Sequence, residues 1–380
     1  MEFGWSDEDL AYRKEVRAFL DVELAGQWSG EVTQTGSKAN VEFARQFCGK
    51  LAERGWLTPH WPAEYGGSNA SHWRHTILGE EMWSIGEPRG PQYMNVNWIG
   101  PSIMASGTDE QKRRHLPPIA RGEVVWCQGF SEPEAGSDLA SLRTRADRDG
   151  GEYVVNGQKT WTSFAEVADY CYLLARTDPT SKRHHGISVL LVPTSTPGFE
   201  VRSIPAVVGE HAFHEVFLTD MRVPVSCRLG PEHEGWDVVR RALTYERVGA
   251  PRWARAALVL DQLAAWALQH QLSDDPAVLD RLGHARALCE AARMLAYRVI
   301  DERGLERPPP ANSSLARVAM VRAEREVGFL AMELMGADGL ENGSLADHAL
   351  RKSMAAGVAA GTVEVQLNLI ARLVLGLPKE

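Results

Sequence analysis

From Ser6 the stretch SDEDLAYRKEVRAFL pairs a capping residue and first-turn acids with apolar residues three and four positions apart, which predicts an amphipathic helix. Helical spacing continues to about residue 120, interrupted by TPHWPAEYGGS (58–68) and GTDEQKRRHLPPIARGE (107–123). From Val124 the period changes. VVWCQGF, GEYVVNGQKTWTS, DYCYLLART and GISVLLVPT are short β-branched and aromatic runs between turn residues, the mark of a small, mostly antiparallel β domain ending near MRVPVSCRLG. Within it, Asn156-Gly157 predicts a tight hairpin turn, because both central positions of that turn type need positive φ. Helical patterns resume after Gly235 with WDVVRRALTYERVGA, AVLDRLGHARALCEAARMLAYRVIDE and SSLARVAMVRAEREVGFLAMELMG. The segment ERPPPANSS separates the last two, and Ser313 or Ser314 is expected to cap the third. The predicted order is helical, β, helical, with no internal repeat.

Composition narrows the function classes. A chain of 380 residues with 44% hydrophobic content has enough apolar surface for a real core. A net charge of −9 argues against a nucleic-acid or anionic-membrane surface, leaving small molecules and proteins as partners. Cys48, Cys127, Cys171, Cys227 and Cys289 lack metal spacing, and the start MEFGWSDEDL lacks the regions of a signal peptide. Free, mostly buried thiols in a reducing cytoplasm are expected. The least polar run, MAAGVAAGTV (354–363), is well short of the about 20 residues that span a bilayer, so no membrane insertion is expected.

Candidate chemistry begins at QGFSEPEAGSDLAS (128–141), where Ser131, Ser137 and the amides around Gly136 leave a predicted strand together. Hydroxyls and free N–H groups on such a turn suit a phosphate or an electron-rich heterocycle. Trp161, flanked by Thr162 and Ser163, offers an aromatic face beside hydroxyls that could cover a planar cofactor. His184-His185 and the pair His211, His214 raise a metal site, but residues three apart on a strand point to opposite faces. GGEYVVNGQKT has only a superficial likeness to a P-loop, since Gln158 separates Gly157 from Lys159 and no helix follows.

The run FSEPEAGSDLASLRTRADRDGGEYVVNGQKTWTS (130–163) resembles the flavin-binding signature of the acyl-CoA dehydrogenases in order and spacing. WPAEYGG, GTDEQKRRHLPPIARGE, EVFLTDMRVP and GTVEVQLNLIAR resemble further family segments in the family's order, so the likeness covers nearly the whole chain. It implies a mixed α and β fold: an N-terminal helical domain (1–121), a middle antiparallel β domain (122–230) and a C-terminal four-helix bundle (231–380). It also implies bound FAD, contacted by Gln128, Phe130, Ser131, Gly136, Ser137, Trp161, Thr162, Ser163 and Thr362. Ser131 and Ser163 would bond the isoalloxazine, with Trp161 beside it. Ser137 would lie near the pyrophosphate and the substrate's thioester arm.

The implied reaction is α,β-desaturation of an acyl-CoA thioester, passing electrons to an electron-transferring flavoprotein or similar acceptor. The α-proton is very weakly acidic, so a desolvated carboxylate must face it. The usual position, just before the closing Gly-Thr, holds Ala359 and Ala360. Some members carry the glutamate on the first helix of the C-terminal domain, and there LTYERVGAP supplies Glu246, with Thr244 and Arg247 at substrate positions. Burial beside the flavin would raise the Glu246 pKa towards neutrality. Gly249, Ala250 and Pro251 follow, and a helix-interior proline there would bend the wall of the acyl cavity.

A second departure lies in ALQHQLSDDPAVL (267–279), which lacks the Arg-x-x-Phe segment that in most members reaches a neighbour's FAD. The expected assembly is therefore a homo-oligomer or an α2β2 heterotetramer with a related subunit supplying the missing wall. Two other readings on the same fold are a flavin oxidase or monooxygenase and a non-catalytic partner subunit.

Overall fold

The computed structural model describes residues 5–28, 36–207, 209–240, 251–304 and 312–378. In chain order the helices are α1 (Asp7–Glu23), α2 (Lys38–Glu53), α3 (His72–Trp83), α4 (Gly100–Ser106) and α5 (Asp109–Ala120). Eight strands follow: β1 (Trp126–Gly129), β2 (Arg145–Asp149), β3 (Glu152–Lys159), β4 (Tyr170–Arg176), β5 (Ile187–Pro193), β6 (Phe199–Ala206), β7 (Gly209–Pro224) and β8 (Arg228–Leu229). The last helices are α6 (Arg252–Gln269), α7 (Pro276–Gly304), α8 (Asn312–Gly339), α9 (Leu345–Ala355) and α10 (Val363–Leu373). The chain forms two compact units, each discontinuous in sequence. One contains α1, α3 and α6 to α10, and the other contains α2, α4, α5 and all the strands.

In the first unit the N-cap works as the sequence predicts: the Ser6 side chain accepts from the Asp9 amide at 3.1 Å. α1 is tied to α3 by Arg13, which donates to Glu80 at 2.7 Å and Glu81 at 2.6 Å. Trp5, Trp73 and Tyr297 meet edge to face and anchor the start of α1 against α3 and α7. The core between the long helices is built from Leu260, Leu263, Cys289, Met320, Val327 and Leu330.

In the second unit the strands run in the order β6-β7-β3-β2-β4-β5-β8, with β1 pairing β4 in parallel. The sheet core holds Tyr153, Val155, Leu173, Leu190, Val192 and Val223. The five cysteines are free; four are buried and Cys227 is half-buried.

Three local expectations fail. Asn156-Gly157 is not a hairpin turn: β3 runs straight through it, the chain reversing instead at Gly150-Gly151 between β2 and β3. The register against β7 shifts between Val155 and Gly157, which makes the pair a bulge, the other structure that calls for glycine. Asn156 exchanges two hydrogen bonds with Asp220 there, 3.1 and 2.9 Å, and a Cβ on Gly157 would lie 2.7 Å from the Thr144 Cα. Neither Ser313 nor Ser314 is a cap, because α8 already includes Asn312 and buries both serines in its first turn. Pro251 stands at the N-cap of α6 with ψ 62°, ahead of the helix rather than inside it, where its missing N–H costs nothing. Gly249 and Ala250 lie outside the described residues, as does most of the Pro-rich break before α8.

His115 on α5 is buried edge-on to the rings of Trp126 and Tyr170, 5.2 Å from each, and burial pushes its pKa down to about 4. The folded pKa lies below the unfolded value of about 6.5, so the unfolded chain binds the extra proton. Stability from this site is therefore complete above about pH 6.5 and declines as pH falls towards 4, by about 1–3 kcal/mol. His115→Phe should flatten that part of the profile, read as a smaller loss of urea midpoint between pH 7 and pH 4.5.

Candidate functional site

β1 delivers the chain into the loop 130–144, and two sets of bonds hold that loop against β3. At its start, Glu132 and Ala135 exchange backbone hydrogen bonds of 3.0 and 3.1 Å, closing a tight turn around Pro133. The Thr160 amide donates to the Ser131 carbonyl at 2.9 Å, setting Ser131 beside the end of β3. Below the loop, Lys159 donates to Glu132 at 2.8 Å and to the Phe130 carbonyl at 3.1 Å. The Glu132 carboxylate also accepts from the Arg143 and Thr144 amides at 2.6 and 2.8 Å, so one buried ion pair gathers both ends of the loop. Burial opposes both charges. It pushes the Lys159 ammonium down despite Glu132, while Lys159 and the loop donors overcome burial to hold Glu132 below the usual carboxylate range.

Sequence reasoning missed this pair. The available signal was the alternation of β3, in which Tyr153, Val155 and Lys159 share the inward register, so that a lysine falls where the core is.

Trp161 follows β3 with φ 56° and is 57% exposed, its ring edge-on to Phe213 at 5.9 Å. A bulky residue in the left-handed region and a large exposed ring are both costly, and together they make Trp161 a candidate for a functional role. The stretch is clamped onto β7: the Thr162 amide donates to the His214 carbonyl at 3.0 Å, and His214 Nδ1 meets the Thr162 carbonyl at 3.2 Å. Glu166 lies 3.3 Å from His211 and 3.5 Å from His214, so one carboxylate reaches both imidazoles despite their three-residue spacing. The argument from opposite strand faces does not hold at this place. Among the described residues no cluster of three or more His, Cys, Asp or Glu is arranged for a metal ion.

The loop and the Trp161 stretch thus bring Gln128, Phe130, Ser131, Trp161 and Ser163 into one region of the β unit. Gln128, Phe130, Ser131 and Ser163 are partly exposed there. Gly136 and Ser137 are exposed, and a Cβ on Gly136 would meet nothing. Thr162 is fully buried, its hydroxyl turned inward without a hydrogen-bond partner. Partly exposed hydroxyls beside an exposed, conformationally held indole fit a planar heterocycle with polar edges.

Thr362, in the other unit, caps α10 by accepting from the Val365 amide at 3.3 Å. Immediately before it, Ala360 has φ 58°, and the carbonyls of Ala359 and Ala360 accept from Arg317 and Gln366 at 3.1 and 3.0 Å. Thr244, Glu246 and Arg247 lie outside the described residues. A separate basic depression of about 400 Å³ is lined by Ser141, Arg143, Arg145, Arg176, Lys182 and Arg183.

This arrangement of helices, sheet and loop is that of the acyl-CoA dehydrogenases, and the chain belongs to that family. The family's N-terminal domain matches residues 6–123, its middle domain 127–221 and its C-terminal domain 233–375. The protein is accordingly an oxidoreductase that dehydrogenates acyl-CoA, of a flavoprotein type. It is 35% identical to the acyl-CoA dehydrogenase IpdE1 of Mycobacterium tuberculosis over 97% of this chain and 98% of that protein. With the acyl-CoA dehydrogenase FadE26 of the same organism it shares 33% identity, covering 100% of this chain and 99% of the relative. Among solved structures, the Tcur3481-Tcur3483 steroid ACAD superposes with a TM-score of 0.91 at 30% identity, over 100% of both chains. The ChsE4-ChsE5 complex from Mycobacterium tuberculosis gives 0.89 at 34% identity, again over 100% of both. Among the described residues no helix is long and apolar enough to cross a membrane.

Proposed function

We propose that this chain is the catalytic subunit of an FAD-dependent dehydrogenase acting on a bulky, ring-bearing acyl-CoA. The observation that carries the cofactor assignment is Trp161, held exposed in a costly backbone conformation beside Ser131 and Ser163. When bound, FAD supplies the two-electron acceptor that takes the hydride from Cβ. Ser131 and Ser163 would donate hydrogen bonds to its ring edge and Trp161 would cover one side, while by the family resemblance Thr362 would be a further contact. Ser137 would hold the pyrophosphate and the thioester arm.

Glu246 removes the proton from Cα, with Thr244 and Arg247 on the substrate side. Alanine at both 359 and 360 leaves the alternative family position without a carboxylate, which concentrates the base function on Glu246. The basic depression around Arg145 and Lys182 has the charge to receive the phosphates of the CoA moiety.

The heteromeric reading draws support from two sides. The 267–279 stretch lacks the arginine and phenylalanine with which most members reach a neighbour's cofactor. Two of the similar solved structures, the Tcur3481-Tcur3483 steroid ACAD and the ChsE4-ChsE5 complex, each pair two different chains. Phe329, Met354, Leu367 and Leu373 are each about half exposed or more on α8, α9 and α10, an apolar surface suited to another subunit. The test is to purify the chain alone and co-expressed with a related subunit, then titrate acyl-CoA thioesters anaerobically while recording flavin absorbance. Bleaching by ring-bearing thioesters, fullest for the co-expressed pair, is the expected result. A strong preference for short straight chains would overturn the substrate reading, and a fully loaded, active single chain would overturn the heteromer.

A further inference from the structure

Trp161 and Phe164 both stand in the left-handed region, with φ 56° and 63°, and they bracket Thr162 and Ser163. Two bulky residues in that region within four positions are costly, and something must hold them there. Burial offsets the strain at Phe164, which is 9% exposed, but not at Trp161, which is 57% exposed.

The fastening comes from β7. The ladder between β3 and β7 ends at Lys159 and Val216. Two residues away from Val216, His214 picks the departing chain up again. Both backbone polar groups of Thr162 are taken by this one residue: the Thr162 amide donates to the His214 carbonyl at 3.0 Å, and Nδ1 donates to the Thr162 carbonyl at 3.2 Å. A carbonyl can only accept, so Nδ1 carries a proton. Nε2 of the same ring is buried without a full hydrogen bond and faces the Glu166 carboxylate at 3.5 Å. Glu166 lies in the short helical turn Ala165–Val167 that ends the same stretch, and it also meets His211 at 3.3 Å. Burial opposes the Glu166 charge, but the two imidazoles outweigh it and hold the carboxyl below the usual carboxylate range. One chain of contacts therefore joins Thr162 to Glu166 through the His214 ring. The preceding residue of β7, Phe213, meets the Trp161 ring edge-on at 5.9 Å.

We propose that His214 is a positioning residue for the flavin: braced by Glu166, its ring fastens residues 161–166 to β7 and sets the face that Trp161 turns to the isoalloxazine. This rests on the reading above, in which Trp161 covers the flavin. His214 itself acts only through Thr162 and the indole.

An indole held against an isoalloxazine quenches its fluorescence by electron transfer, so the emission of the bound flavin reports the pose of Trp161. The test measures that emission in the flavin-loaded protein, together with hydrogen exchange of the 160–168 stretch. His214→Leu should raise the emission per bound flavin severalfold and speed exchange of the Thr162–Glu166 amides about tenfold, the scale of one buried hydrogen bond. His214→Asn, whose side-chain N–H takes the place of Nδ1, should restore most of both. Glu166→Ala changes a part-exposed residue and leaves the core intact, and it should raise both by about two- to threefold. In a Trp161→Phe background none of these substitutions should alter the emission further, because the ring they position is gone.

The proposal alone is overturned if Trp161→Phe brightens the flavin while the His214 and Glu166 variants leave its emission unchanged, whatever they do to the melting temperature. Equal increments with and without Trp161 overturn it too. If Trp161→Phe by itself leaves emission and flavin binding unaltered, the flavin reading of the site falls and the proposal falls with it.

Discussion

Glu246→Gln should lower turnover by about 10²–10⁴-fold, the range for removing a positioned general base, while the protein keeps its bound flavin. The amide is nearly isosteric and cannot accept the α-proton, so acyl-CoA should still bind but should no longer bleach the flavin. Because the base must be ionised to act, the wild-type kcat/KM should fall as pH drops through the Glu246 pKa, and the variant should lose that acid limb. The departure at Ala359 and Ala360 sharpens the test, because the alternative position holds no carboxylate to take over. Ala360 also has φ 58°, its carbonyl and its neighbour's tied down by Gln366 and Arg317, so this loop is organised without a side-chain base. A Glu246→Gln enzyme that still bleaches at the wild-type rate would show that the proton leaves by another route.

Lys159→Met should be the most damaging substitution in the β unit. Methionine matches the lysine stem, but the Glu132 carboxylate, only 8% exposed, would lose its 2.8 Å contact with the Lys159 ammonium. Breaking a buried pair from one side costs about 3–5 kcal/mol. At about 2–4 °C per kcal/mol for units of this size, the melting temperature should fall by roughly 6–20 °C. The damage should also reach the cofactor, because Glu132 joins Ser131's turn to the Arg143 and Thr144 amides, and the loop between them carries Gly136 and Ser137. Adding Glu132→Gln should recover part of the stability, since the neutral amide no longer needs a cation. Flavin content per chain and the melting curve together decide the matter. A singly substituted protein with normal melting and full flavin would mean that the pair does not organise the loop.

Much of this protein was legible in one dimension. The order helical, β, helical follows from the change of apolar period at Val124 and its return after Gly235, and Ser6 caps α1 as its chemistry requires. The loop at 128–141 and the Trp161 stretch were visible as unusual groupings of hydroxyl, glycine and aromatic residues. Where local pattern and structure differ, a distant segment makes the difference. Asn-Gly is compatible with a turn and with a bulge, and the choice at 156–157 was made by β7 and Thr144, which are distant in sequence. Strand geometry alone separates the two histidines of β7, whereas Glu166 comes from a different segment and reaches both.

The sequence by itself determined the family and the order of helical and β segments, because both are written in contiguous residues with fixed spacing. Only the tertiary structure decided that Lys159 and Glu132 meet inside the sheet, that Trp161 is held outward at positive φ, and that Arg255, Glu324 and Lys352 share one cavity. Those facts depend on which distant segments are packed together, and the energy of a buried charge depends on partners that local pattern does not name.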